Sequence, residues 1–237
     1  PTRRSSDLLA LVFLSLMLAR PQFGSKIEDV KRKGIEVIVA LDVSNSMLAE
    51  DIQPSRLERA KQAVSRLVEN LTDDKIGLIV FAGDAYIQIP VTADYVSAKM
   101  FLSTINPSAV PKQGTAIGSA ISLAMRSFSQ GQDKSRAVIV ITDGENHEDD
   151  PVAAATEAAK QGIVVHTVGI GSPDGVPISL TVNGKREFLK DHEGNTVITK
   201  LNEKILQETA IAGNGKYVRA TSASLGLEQI LSEIRKM

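Results

Sequence analysis

The chain has 237 residues, 43% of them apolar, with 27 Lys and Arg against 28 Asp and Glu, a formal charge of −1; this is a globular composition, and it excludes a disordered chain or a basic coat for nucleic acid. There is no cysteine and there are three scattered histidines, His147, His166 and His192, so disulfides, thiolate metal sites, a cysteine nucleophile and a three-histidine centre are excluded. Any metal is expected to be a hard ion held through oxygen.

Residues 1–7 read as translated adapter sequence, so the chain is expected to be a fragment. Leu8 to Ala19 is apolar except for Ser15 and ends at Arg20-Pro21. Twelve residues fall short of the roughly 20 that span a bilayer. The abrupt polar flank still favours a truncated transmembrane segment over 8–20, followed by a juxtamembrane linker over 21–34. The basic residues Arg20, Lys26, Lys31, Arg32 and Lys33 behind that run point to the cytoplasm on the positive-inside rule.

From Ile35 the pattern changes. Ile35–Leu41 is an apolar, β-branched run, as in a strand buried on both faces. Residues 55–71 predict an amphipathic helix: Ser55 and Glu58 form a capping pattern, and Leu57, Ala60, Val64, Leu67, Val68 and Leu71 recur at helical spacing. Then come a strand over Lys75–Phe81, a short edge strand over Ala85–Pro90, and helices over Asp94–Leu102 and Ala116–Phe128. Ala137–Thr142 is a second core strand, Pro151–Gln161 a helix, Ile163–Ile170 a strand, Leu201–Ala212 a helix and Lys216–Arg219 a last short strand. Pro177–Lys200, with Asn183-Gly184 and Glu193-Gly194-Asn195, reads as inserted hairpins. Ser222–Met237 reads as a helix that stops without a cap, so the chain is expected to be truncated there too. The alternation predicts an α/β fold, a doubly wound, mostly parallel sheet with helices on both faces, in one domain over 35–221.

Ligands of such sheets bind beyond the carboxyl ends of the strands. Three segments there share one chemistry. The first strand ends in Asp42-Val-Ser44-Asn-Ser46, the second core strand ends in Thr142-Asp143-Gly144, and Gly114-Thr115-Ala116 precedes a helix. Each residue alone serves equally well as a cap or turn residue. Together they offer three hydroxyls and two carboxylates, a set suited to Mg2+. Ser44, Ser46 and Thr115 would ligate the ion. Asp42 and Asp143 would orient hydroxyls and waters from behind, Asp42 in a solvent-reachable cleft.

These residues resemble the metal-ion-dependent adhesion site of the von Willebrand factor A (VWA) domain, with D-x-S-x-S at Asp42, Ser44 and Ser46, the loop Thr115, and the T-D-G Asp143. Asn45 stands where many such domains have Gly, a position Asn fills by tolerating a left-handed turn. Longer matches at Leu48–Leu57, Val80–Asp84, Gln113–Gly118 and Ile141–His147 resemble the Bat (Bacteroides aerotolerance) proteins, the B member in particular. The resemblance implies a non-enzymatic, metal-dependent protein-binding module that takes Mg2+, with Mn2+ or Ca2+ as substitutes. It implies a protein partner that offers an acidic side chain, together with other VWA proteins, tetratricopeptide-repeat proteins and a MoxR-type AAA+ ATPase. It implies the bacterial inner membrane, with the VWA domain in the periplasm, against the charge count above. The alternative is a Mg2+-dependent hydrolase or phosphatase-like enzyme. Against it, Ser44 stands where an aspartate-nucleophile phosphatase has its second aspartate, and no phosphate-binding G-x-x-x-x-G-K-[ST] loop occurs.

Overall fold

Two apolar runs without a polar face have to sit where both sides are covered, and they do. The structure, a computed structural model, describes residues 3–18, 34–129, 135–146, 148–182, 185–221 and 224–236. Strands β1 (Glu36–Asp42) and β4 (Arg136–Thr142) lie side by side in the middle of a six-stranded sheet. Outward on one side come β2 (Lys75–Phe81) and the edge strand β3 (Ala85–Thr92); on the other come β5 (Ile163–Gly169) and β10 (Asn214–Arg219). Only β3 is antiparallel. Val37, Val39, Val138 and Val140 are fully buried, as the runs predict. Each such side chain contributes about 1.5–3 kcal/mol by leaving water.

Alternate residues of β1 feed two cores. Val37, Val39 and Leu41 pack with α2 (Arg56–Glu69), α3 (Tyr95–Thr104) and α7 (Leu227–Ile234). Ile38 and Ala40 face α4 (Ile117–Ser127), α5 (Pro151–Lys160) and α6 (Glu203–Ala212). This is the predicted doubly wound arrangement. Strand order reverses between β1 and β4, and the ends of these strands mark the switch point where ligands of such sheets bind. The Ser55 hydroxyl accepts the Glu58 N–H at 3.2 Å and caps α2, as its sequence pattern requires.

Some boundaries differ from the sequence reading. β3 runs on to Thr92, because Pro90 on an edge strand removes no ladder bond that the sheet needs. α7 is shorter than residues 222–237, since Gly226, with φ +70°, sits in a left-handed turn at its start. The insertion between β5 and α6 forms two small ladders. β6 (Val176–Pro177) pairs with β9 (Ile198–Thr199), and β7 (Ser179–Val182) with β8 (Lys185–Phe188). The turn Asn183-Gly184 lies outside the described residues, as do Ser222, Ala223 and Met237.

The first residues form a separate unit, Pro1–Arg32. Its helix α1 (Arg3–Leu18) exposes Leu8, Leu9, Leu11, Val12, Phe13 and Leu14. Among the described residues no helix is long and apolar enough to cross a membrane. Residues 19–20 of the expected anchor and 21–33 of the expected linker lie outside the described residues.

One buried group makes the fold sensitive to acid. His166 on β5 is 3% exposed, and its Nδ1 accepts the Lys216 N–H at 3.1 Å. The neutral ring therefore carries its proton on Nε2, which is buried without a hydrogen-bond partner among the described residues. Burial, helped by the Lys216 charge and opposed by Glu233, pushes the imidazole down to about 4. Below about pH 6.5 the unfolded chain takes up a proton that the fold refuses until about pH 4, so stability falls as pH drops through that window. His166→Asn keeps an acceptor for Lys216 and removes the titration. Urea unfolding at pH 7.5 and 4.5 is expected to show an acid loss about 2 kcal/mol smaller in the variant than in the wild type. Equal losses in the two proteins would exclude His166 as the source.

Candidate metal centre

The site begins where β1 ends. Asp42 is fully buried; its Oδ1 accepts the Ser44 N–H at 2.8 Å and its Oδ2 accepts the Thr142 hydroxyl at 2.6 Å. The first bond bends the chain back as an Asx-type turn. A short 3-10 turn over Asn45–Leu48 follows, and the Ser44 and Ser46 hydroxyls meet at 2.9 Å. Asn45 is not in the left-handed region expected for it: among the described non-glycine residues only Asp73 and Asn214 have positive φ. The 3-10 turn accommodates any side chain there. Thr142 also accepts the Gly144 N–H at 3.0 Å, so the threonine of T-D-G ties its own turn to Asp42.

Thr115 comes from the loop before α4. That loop is anchored at both ends, by Gly83 N–H to Lys112 O at 3.0 Å and Ala116 N–H to Ala82 O at 2.8 Å. The N-cap residue of α4, Ala116, has no side chain with which to cap. Asp149 does so from the facing loop, accepting the N–H groups of Gly118 at 2.9 Å and Ser119 at 2.6 Å. Gln113 Oε1 accepts the Asn45 N–H at 3.1 Å and joins this loop to the serine turn. The Thr115 side chain is buried, and its hydroxyl hydrogen-bonds no described residue.

Asp143 is held by groups that the sequence reading did not assign. Its Oδ1 accepts the Glu145 N–H at 3.2 Å; its Oδ2 accepts from Arg56 Nη1 at 3.0 Å and from the Thr199 hydroxyl at 3.1 Å. Arg56 is completely buried. Its fork grips both oxygens of Asp51 at 2.8 and 2.9 Å, and Nη1 also reaches Thr199 Oγ1 at 3.0 Å and the Ser46 carbonyl at 3.5 Å. Asp51 Oδ2 accepts the Ser172 N–H at 2.6 Å. Gly171 makes room for the guanidinium: its φ is +135°, and a Cβ there would lie 2.6 Å from Arg56 Cζ.

The electrostatics follow from burial. Desolvation, reinforced by the Asp143 charge, raises the Asp42 carboxyl to about 7, against the hydrogen bonds from Ser44 and Thr142. Burial would also raise Asp51, but the Arg56 fork outweighs it and holds that carboxyl below its ordinary value. Glu145, half-buried and accepting the Lys200 N–H at 2.7 Å, is raised by burial and by Asp143.

Asp42, Ser44 and Ser46 thus form one hydrogen-bonded turn, with Asp143 tied to the same turn through Arg56. Thr115 stands on a loop bonded to that turn. His147 lies outside the described residues. The expectation that Asp42 borders a solvent-reachable cleft is corrected, since the α/β sheet covers it completely. Among the described residues no group of three or more His, Asp or Glu side chains could hold a metal. The donor set is instead two paired hydroxyls, a third without a hydrogen-bond partner among the described residues, and two carboxylates, which fits a hard ion such as Mg2+. Arg56 was legible in principle. It falls in register with Ala60, Val64 and Leu67 on the apolar stripe of α2, where a cation needs a buried carboxylate. Thr199 and Asp149 gave no such signal.

The von Willebrand factor type A domain model matches residues 36–204. BatB from Bacteroides thetaiotaomicron is 55% identical, with TM-score 0.81 over 86% of this chain and 100% of that one. An aerotolerance-related membrane protein from Bacteroides fragilis is 54% identical, with TM-score 0.82 over the same shares. A curated relative, a UPF0353 protein from Mycolicibacterium paratuberculosis, is 30% identical over 223 residues, 91% of this chain. The chain spans 64% of that relative's length.

The fit of Gly171 against Arg56 sets a prediction. Gly171→Ala combines strain at φ +135° with a clash against a side chain that has no room to withdraw. It should destabilise the fold by about 2 kcal/mol or more. Denaturant midpoints measure this, and an unchanged midpoint would mean that the guanidinium is not confined as described.

Proposed function

The chain belongs to the von Willebrand factor type A family, and we propose that it is a metal-dependent protein-binding module, not an enzyme. The observation that carries this reading is the Ser44–Ser46 hydroxyl pair in front of two buried carboxylates, with the Thr115 hydroxyl on the adjoining loop. In this reading Ser44, Ser46 and Thr115 hold Mg2+, with Mn2+ or Ca2+ as substitutes. Asp42 fixes the serine turn through the Ser44 N–H and Thr142, and Asp143 orients the inner face. When bound, the ion supplies a Lewis-acid position for a carboxylate oxygen from a partner protein. The chain's part is to hold neutral hydroxyls still and keep both carboxylates out of water.

Likeness to BatB and to an aerotolerance-related membrane protein supports a place in a Bat-type stress or aerotolerance complex. The proposed partners are other VWA proteins, tetratricopeptide-repeat proteins and a MoxR-type AAA+ ATPase. The proposed location is the bacterial inner membrane, with this domain in the periplasm.

Because Asp42 is buried, the cleaner variant is Asp42→Asn, which keeps an acceptor for the Ser44 N–H. Calorimetry should show Mg2+ affinity about 10–100-fold lower than in the wild type. Pull-down of partners from native membranes should weaken with it and disappear in EDTA. Normal metal affinity in the variant, or the same partners captured in EDTA, would leave the domain a structural one.

Anchoring is tested on the full-length protein from its native locus. It should pellet with membranes and resist carbonate extraction; recovery in the soluble fraction would remove the membrane assignment.

A further inference from the structure

Arg56 sits between two carboxylates with different duties. Asp51 takes its fork on both oxygens, at 2.8 and 2.9 Å, and belongs to no proposed ligand set. Asp143, at 3.0 Å, stands behind the candidate metal centre. The same Nη1 lies 3.5 Å from the backbone carbonyl of Ser46, whose hydroxyl is a candidate ligand. Arg56 and Asp143 are both fully buried, so water does little to screen the guanidinium from a cation bound beside them. Thr199 donates to the same Asp143 oxygen at 3.1 Å, which leaves that oxygen doubly engaged.

We infer that Arg56 is a resident counter-charge of the metal centre, which lowers its affinity for a divalent cation by sharing Asp143 and is itself restrained by Asp51. The inference rests on the metal reading above and specifies how such a centre is regulated. Asp42, Asp51 and Asp143 supply at most three negative charges, and Arg56 removes one of them. A carboxylate from a partner returns that missing charge. Metal and acidic partner then reinforce each other's binding, by the same factor in either order. Without the partner the centre is held at low occupancy.

The opposite view gives Arg56 an orienting role only, so that any change to the Arg56–Asp51 pair would weaken binding. Charge and orientation predict different signs, and Mg2+ calorimetry at pH 8 on the wild type, Arg56→Met, Arg56→Lys and Asp51→Asn separates them. Arg56→Met should bind Mg2+ about 10-fold tighter or more, and Asp51→Asn about 10-fold weaker, the lower end of the usual effect of groups behind the ligands. Arg56→Lys keeps the charge and loses the fork, so its affinity should stay within about 3-fold of the wild type. All three variants should melt at lower temperature in EDTA, so affinity would follow charge and not stability.

Equal or weaker binding by Arg56→Met overturns the inference. If that variant does not fold, Arg56→Lys decides: affinity within about 3-fold of the wild type supports the counter-charge, and a larger loss overturns it. A wild type silent to millimolar Mg2+ beside an Arg56→Met variant that binds supports the restraint. Silence in all four proteins removes the metal reading itself.

Discussion

A guanidinium with no access to water constrains everything around it. Arg56 leaves solvent at the first turn of α2 and must find its partners inside. It draws them from four separate stretches of chain: Asp51 and the Ser46 carbonyl after β1, Asp143 after β4, Thr199 at the end of the insertion, and the space at Gly171 after β5. Removing one partner of such a buried pair typically costs about 3–5 kcal/mol, because the charge left behind has nowhere to go. The arrangement is therefore all or none. The ends of β1, β4 and β5 keep their relative positions because a single cation is bonded or fitted to each.

The catalogue of hydroxyls in front of that cation depends on a second, smaller constraint. Parallel pairing sets Leu41 beside Ile141, so Asp42 and Thr142 emerge together at the strand ends. Their 2.6 Å hydrogen bond ties the two strand ends together. The serine turn then has one conformation available to it, in which the Ser44 N–H returns to Asp42 and the two hydroxyls converge. The site needs no unusual backbone at Asn45 to do this. Its geometry comes from strand register and one carboxylate.

The fold was legible because both central strands are apolar on both faces, a pattern few other elements produce. The five candidate site residues were legible from their places: Asp42 and Asp143 at the ends of recognisable strands, Ser44 and Ser46 just after the first of them, and Thr115 just before a recognisable helix. The groups that hold them were not. Arg56 looked like an ordinary charge at a helix start, and only its place on the apolar stripe betrays burial. Thr199 reaches Asp143 from 56 residues away, a contact that no local pattern encodes. Asp149 caps a helix that begins 32 residues before it, because Ala116 cannot. Asp42 read as solvent-reachable since loops that close over a strand end leave no mark in the strand itself. Sequence periodicity reports which face of an element is dry. It does not report which distant polar group will be enclosed with it.

The insertion between β5 and α6 illustrates a division of labour. Its two ends are joined to each other, Val176 opposite Thr199, and Thr199 is the residue that touches the buried charges. The hairpin of β7 and β8 lies between those ends; Arg186 bonds Ser179 within it and pairs with Glu50 outside it. A short ladder therefore stands between Thr199, held by the buried charges, and the turn of the hairpin. Changes in the hairpin beyond Arg186 leave the clasp at its base bonded as it is. Divergence can accumulate at the hairpin with the chemistry beneath it left intact, as variable loops diverge on a fixed framework.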